Sequence, residues 1–429
     1  MNLTCCARAS GDFRLALTLV VLVWSQWMGS PAGAAESVLT LDDAVRRALI
    51  DAPQLQAAQA AVQSAREAEP AAGRLPDPEA IVGIDNLPVN TADAFSLSRD
   101  FMTMRKVGVM QSVPNAAKRD SQRNLASREI GVAEARLAAS RFETAKAAAD
   151  AWIESAIVAR SLAALRDRRQ DLATPLAAAR AALAGGTRSA GDVLAGEMML
   201  ARLDVRIQEL EQQLLTRRAD LRRWVGDAAA RDLGPMPWER ELESESVTLV
   251  DTVDAHAPLA PATAEVELAR AAVQAAKADR RPDWSAELSF ADRGSSYSNM
   301  VSLQFRVGLP LFAKSRQNPI IASRLSDLRA REAERQVEIR MHRAEVEALL
   351  AQWRSGRGRL QQYSTHLQPL AVDRTRAVIA AYGAGRGELS PVIGAIAEEV
   401  DLQLERIVLE GEISRAWVFL HLLHSGGMP

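Results

Sequence analysis

Apolar and polar residues alternate over one stretch of this chain. Trp284, Ala286, Leu288 and Phe290 interleave with Ser285, Glu287, Ser289 and Ala291. After a polar tip from Asp292 to Asn299, Val301, Leu303, Phe305, Val307 and Leu309 interleave with Ser302, Gln304, Arg306 and Gly308. A period of two sends the two sets to opposite faces of a strand, so a hairpin is expected over about 284–310. Each strand has roughly the 9–11 residues that a tilted strand needs to cross a bilayer. On that reading one face meets lipid, and the other, with Glu287, Gln304 and Arg306, lines water. A soluble hairpin packed on helices would alternate in the same way. A less regular pattern, Ala80, Val82 and Ile84 followed by Val107, Val109 and Val113, predicts a first hairpin over about 78–114.

Elsewhere the period is helical. A helix is expected from about Asp42 to Arg74, with a counterpart from about His256 to Arg281. Very long helices are expected over 118–183 and 314–382, each followed by a Gly-rich turn and a further helix. At 1.5 Å per residue each long helix reaches roughly 100 Å. The two shorter helices of the first half nearly match the long one in summed length, which suggests end-to-end stacking beside it. Pro175 and Pro369 predict a local kink in each long helix. The second long helix carries two stripes: Leu325, Leu328, Ile339, Val346, Leu349 and Trp353, and a smaller one from Ala330 and Ala333 through Val337, Met341, Ala344, Ala348 and Ala351. Two stripes suit a helix flanked on both sides, as in a curved wall, whereas an ordinary coiled coil needs one.

These elements recur in order. Ala60-Ala61-Val62-Gln63-Ser64-Ala65-Arg66 returns as Ala271-Ala272-Val273-Gln274-Ala275-Ala276-Lys277, and Pro76-Asp77 as Pro282-Asp283. Pro114 to Lys118 returns as Pro310 to Lys314, and Gly186 and Val193 as Gly385 and Val392. The fold class is therefore mainly α with β, a duplicated helix–hairpin–long helix–helix unit with repeats at 35–248 and 249–429. Two hairpins cannot close a barrel, because small barrels begin at about eight strands. Strands placed in lipid would thus require several copies, and three copies supply twelve strands.

Composition narrows the class. The 429 residues carry 52 basic and 54 acidic side chains, so no global field favours nucleic acid. Aromatic residues are only 4%, which suits Ala-rich helical packing. Arg8 and Arg14 precede an apolar run from Leu15 to Trp27 and then Ala32 and Ala34, the pattern of a signal peptide over 1–34. That run is too short to span a membrane. Cys5 and Cys6 lie before the run, within 1–34, and would be lost on cleavage, leaving no thiol chemistry. With no later segment apolar enough to span, entry into a membrane would have to be as strands.

With these features the chain resembles the TolC-type outer-membrane efflux family over essentially its whole mature length. The residues that carry the likeness are Leu41-Asp42-Asp43-Ala44, the duplicated architecture, Val113-Pro114 and Gly308-Leu309-Pro310-Leu311-Phe312. Asp85-Asn86-Leu87-Pro88, Phe95-Ser96-Leu97 and Met102-Thr103-Met104-Arg105 are similar to the heavy-metal, CzcC/CusC-like branch. The resemblance implies a homotrimer with a twelve-stranded barrel in the outer membrane and a helical tunnel in the periplasm. It also implies a periplasmic adaptor and an inner-membrane pump of the resistance–nodulation–division class as partners, with the channel itself passive. It places the turns at 185–189 and 383–387 at the periplasmic tip, making Asp192, Arg188, Glu388 and Arg386 candidate gate residues. Val193, Leu194 and Leu389 would be exposed there for adaptor contact. Where some members carry an acidic ring, this chain has Pro391 and Gly394. Asp192 also suits a helix N-cap.

Other chemistry finds little footing. His421 and His424 share a helical face but lack a third ligand. Met102, Met104 and Met110 suggest soft-metal handling, and equally strand packing. No catalytic constellation, phosphate loop or cofactor motif stands out, so an enzyme is not expected. Two other readings stay open: an outlet for drug efflux or type I secretion, and a periplasmic helical adaptor or scaffold with no pore.

Overall fold

A computed structural model describes residues 38–90, 92–186, 189–242 and 248–424. The expected signal peptide and Arg188 lie outside the described residues. The chain is mainly helical with one small sheet. Its elements are α1 (Leu41–Asp51), α2 (Pro53–Ala68), β1 (Glu79–Asp85), β2 (Met104–Val113), α3 (Ala116–Ala184) and α4 (Ala190–Val225). Then come α5 (Thr248–Asp251), α6 (Ala260–Ala278), β3 (Trp284–Asp292), β4 (Met300–Val307), α7 (Gln317–Gln362), α8 (Gln368–Gly383) and α9 (Leu389–His424).

Local chemistry sets the helix ends. Thr40 caps α1 by accepting from the Asp43 amide at 3.2 Å, and Asp42 and Asp43 lie at the positive end of the helix dipole. The single helix expected over 42–74 is broken, because Ala52 precedes Pro53 and takes an extended conformation with ψ 119°. Asn115 caps α3, accepting from the Lys118 amide at 2.8 Å. The 69 residues of α3 reach about 100 Å and run α-helical through Pro175. The second long helix behaves differently. Between α7 and α8, residues Tyr363–Leu367 form a π-helical turn just ahead of Pro369. The Gln368 amide reaches back to the Tyr363 carbonyl, a wider turn of the kind that relieves crowding by a proline ring. Helices α4 and α9, the second helices of the two repeats, have 36 residues each.

The length of α3 lets it change partners. Toward the sheet it is bridged to α2 by Arg66–Glu134 and to α6 by Arg136–Glu265, at 2.6 and 2.8 Å. Further along it meets α4 through Arg166–Glu211 and α9 through Arg168–Glu399, at 2.6 and 2.8 Å. Two apolar cores follow from this. The larger surrounds Trp152, Phe142, Trp417, Phe419 and Leu420, with Phe142 edge-on to Phe419 at 5.4 Å. Trp152 has no exposed surface and donates its indole N–H to the Leu39 carbonyl at 3.0 Å. That bond ties the segment before α1 to the middle of α3. The smaller core joins Leu165, Leu172 and Leu176 of α3 to Val193, Leu389 and Val392.

The four strands form one antiparallel sheet in the order β1-β2-β3-β4. The two hairpins of the sheet can be compared through their registers. Superposing Asp77 on Asp283 and Pro114 on Pro310 carries Glu79 onto Ser285 and Met110 onto Arg306. Glu79 pairs with Met110, and Ser285 with Arg306, so the two hairpins have equivalent registers. The duplicated helices are treated unequally: α3 is flanked by both α2 and α6. On α7, Ile339, Val346 and Trp353 of the larger stripe are buried, whereas Ala330, Ala333, Val337, Met341, Ala344 and Ala348 of the smaller stripe are exposed.

Candidate functional site

The sheet is inverted relative to a soluble one. Directly paired residues share a face. One face therefore collects Val82 with Val107, Val109 with Leu288, and Leu288 with Leu303, together with Phe290, Val301 and Phe305. These side chains are exposed, Val82 at 82% and Val301 at 71%. The same apolar surface continues beyond β4 in Leu309, Leu311 and Phe312. On the opposite, polar face β3 is covered at its centre, while Gln304 and Arg306 of β4 are exposed. Glu287 is 1% exposed, with Lys106 at 2.6 Å and Arg306 at 2.5 Å. Arg306 also lies 3.0 Å from the Met110 sulfur and 3.3 Å from Gln304 Oε1. Glu287, Gln304 and Arg306, expected on one water-lining face, are thus brought together. Lys106 is the member that sequence inspection missed, because the first hairpin alternates weakly. Gly108 lets this face close: a Cβ there would come within 2.7 Å of the Ser289 side chain.

At the sheet's loop end, Arg105 and Asp292 pair at 2.5 Å, and Arg293 donates to the Phe101 carbonyl at 3.1 Å. At the helical end, Asp283 accepts from the Asn115 amide at 2.7 Å and meets the Lys118 ammonium at 3.3 Å. Burial opposes ionisation of Asp283, but these Asn115 and Lys118 contacts outweigh it and hold its carboxyl below the usual range.

About 100 Å of helix separates the two ends of α3, and at its far end lie the Gly-rich turns. Gly186 and Gly385 take equivalent left-handed conformations, φ 70° and 72°, which end a helix at low cost only in glycine. Ser189 is the N-cap of α4, so Asp192 sits in the first turn and does not cap. Glu388 and Arg386 are exposed, as are Pro391 and Gly394.

The expected exposure of Val193 and Leu389 is corrected. Val193 is 5% and Leu389 0% exposed, because both point between α3, α4 and α9. A Cβ on Gly196 would lie 3.4 Å from a Leu389 methyl. Leu194, one step round the helix, is 63% exposed.

A histidine pair also went unread. His256, ahead of α6, and His342, on α7, are buried with Nδ1 and Nε2 3.0 Å apart. Burial and the neighbouring His342 push the His256 pKa down to about 4. His421 instead stacks on Trp417 at 4.6 Å. Among the described residues, no three His, Cys, Asp or Glu side chains are grouped to hold a metal ion, and no helix is long and apolar enough to cross a membrane.

No protein-family model matches the sequence, nor does any curated protein. Solved structures do match in fold. CusC, described in terms of transmembrane channel formation, superposes with a TM-score of 0.73 at 15% identity, covering 89% of this chain and 91% of that one. The outer-membrane channel OprN gives 0.75 at 15% identity, covering 91% and 90%. The outer membrane protein VceC of Vibrio cholerae gives 0.74 at 18%, covering 90% and 96%. The chain shares the fold of these outer-membrane proteins. Within that fold, the inverted sheet and the Gly-rich turns mark opposite ends of a long helical body.

Proposed function

We infer that this chain is the outer-membrane component of a tripartite efflux system, a passive conduit running from the periplasm to the exterior. One observation carries the reading: the sheet buries the carboxylate of Glu287 on its polar face and leaves the apolar face exposed on all four strands. In water that arrangement costs about 25 cal/mol for every Å² of apolar surface left wetted; in a bilayer it is the favoured one. Three copies would close a twelve-stranded barrel, and the uncovered stripe on α7 suits a wall continued by a neighbour. The shared fold with outer-membrane channels supports the same reading.

In this reading the helical body extends into the periplasm and meets an adaptor at the tip, where Leu194 is an exposed apolar residue. An inner-membrane pump supplies the energy. The heavy-metal cargo rests on the resemblance at Asp85–Pro88 and Met102–Arg105. Glu388 and Asp192 supply carboxylates at the tip that three-fold symmetry would turn into rings.

Purified in detergent, the protein should have a three-chain mass and insert into planar bilayers as a conducting pore. A water-soluble single chain with no conductance would refute the channel. Glu388→Ala should weaken cation selectivity; unchanged selectivity removes Glu388 from the gate. A deletion strain should lose tolerance of zinc, cobalt, cadmium, copper or silver, and equal tolerance of all five would refute the metal cargo.

A further inference from the structure

The open ends of the two hairpins are alike in backbone and unlike in charge. At the first, Lys118 is paired with Asp279 and Asp283 at 3.2 and 3.3 Å, Asp120 meets Arg123 at 2.7 Å, and Arg74 donates to the Pro70 carbonyl. At the second, the Gly308 amide donates to the Asp283 carbonyl at 2.9 Å, which sets the exit of β4 against the entry of β3. Four basic residues flank that junction, Arg280 and Arg281 before it and Lys314 and Arg316 after it. All four are exposed, and none of their side chains forms an ion pair or hydrogen bond with a described residue.

The same stretch also departs from its counterpart in backbone. After β2, Asn115 caps α3, which starts at Ala116. After β4, Leu311 stands at the position of Asn115 and offers no cap, so α7 starts only at Gln317 and 311–316 make turns. The Ser315 and Arg316 amides both donate to the Phe312 carbonyl at 3.1 Å. Leu311 and Phe312 are left 77% and 69% exposed, beside Leu309 of the apolar face. Ala116 and Asp120, the equivalents of Phe312 and Arg316, stay exposed although α2 and α6 both pack on α3, so a flanking helix does not cover these positions. An apolar tip with cations within a turn of it has the make-up of a segment lying in a membrane interface. Its rings enter the acyl boundary while its long basic side chains reach the phosphates.

We propose that the open end of the second hairpin binds anionic phospholipid headgroups, with Arg280, Arg281, Lys314 and Arg316 on the phosphates and Phe312 among the acyl chains. This rests on the reading that the apolar face meets lipid, and it names the lipid at that face's edge. The helical body extends into the periplasm in that reading, so the leaflet is the periplasmic one. A lipid fits better than a soluble anion, because the cations border apolar surface that a soluble anion would leave wetted. Each basic side chain near such a surface strengthens attraction roughly 5-fold.

Trp284, 44% exposed at this end of the sheet, reports on the lipid beside it. Brominated phosphatidylglycerol or brominated phosphatidylcholine is titrated into the full chain in neutral detergent, and the Trp284 signal is the difference from Trp284→Phe. Phosphatidylglycerol should half-quench that signal at a concentration at least ~5-fold below phosphatidylcholine. Arg281→Gln with Arg316→Gln, which breaks no side-chain contact, should bring the two concentrations together. Equal quenching of the wild type by both lipids overturns the proposal, as does displacement of phosphatidylglycerol by an equal concentration of inorganic phosphate. A double variant that loses its oligomer but keeps the lipid preference gives these arginines to a second copy and overturns it too. A conducting trimer indifferent to headgroup charge sinks this inference alone. A Trp284 signal untouched by either lipid sinks the lipid-facing sheet, and the channel reading with it.

Discussion

Around Trp152 the protein is built as a soluble one is, with the large apolar side chains Phe142, Ile153 and Leu420 covered. In the sheet the rule is reversed: Leu303 and Phe305 are 61% and 66% exposed while Glu287 is covered. One chain thus carries two opposite solutions to the same hydrophobic problem. In the proposed channel, what differs is the solvent for which each is stable: the helical core supplies its own apolar environment, while the sheet would take one from the bilayer.

The comparison can be broken by substitution. Trp152→Ala should cost about 3–5 kcal/mol in any solvent, since it opens a cavity and frees the Leu39 carbonyl. Urea denaturation followed by far-UV circular dichroism would measure it in detergent or bilayer alike. Leu303→Arg should cost about 2–4 kcal/mol for protein folded in bilayers if the residue lies near the midplane. On an ordinary solvent-facing hairpin the change would stay within ~0.5 kcal/mol. An unaffected bilayer folding titration would therefore place Leu303 in water.

A smaller effect tests the helical region alone. The folded pKa of His256 lies at about 4, below its ordinary value. The neutral ring is favoured by folding, so its contribution is complete above pH ~6.5 and is lost as pH falls toward 4. The melting temperature of the wild type should drop over that interval, and His256→Phe should flatten the slope. An identical slope in the variant would assign the pH dependence to other groups.

The legible parts of this molecule were periodic. Alternation between Trp284 and Leu309 revealed both faces of β3 and β4, because the strand period holds whatever surrounds it. The two stripes on α7 also divided into a covered and an uncovered one. Where a helix points its side chains is less local. Val193, Leu194 and Leu389 look alike as apolar residues beside Gly-rich turns, yet packing against Leu176 buries two of them. Pro175 and Pro369 look equally disruptive, and only the second is accompanied by a π turn. His256 and His342 are 86 positions apart and share no motif, so only folding brings them together.

By itself the sequence determined the duplication, the order of helices and hairpins and the polarity of each strand face, since these depend on spacing along the chain. The tertiary structure decided which apolar residues are covered, which charges meet on the inner face of the sheet, and which edges are left unpaired. Those outcomes depend on distances between remote segments, and such distances exist only once the backbone has folded.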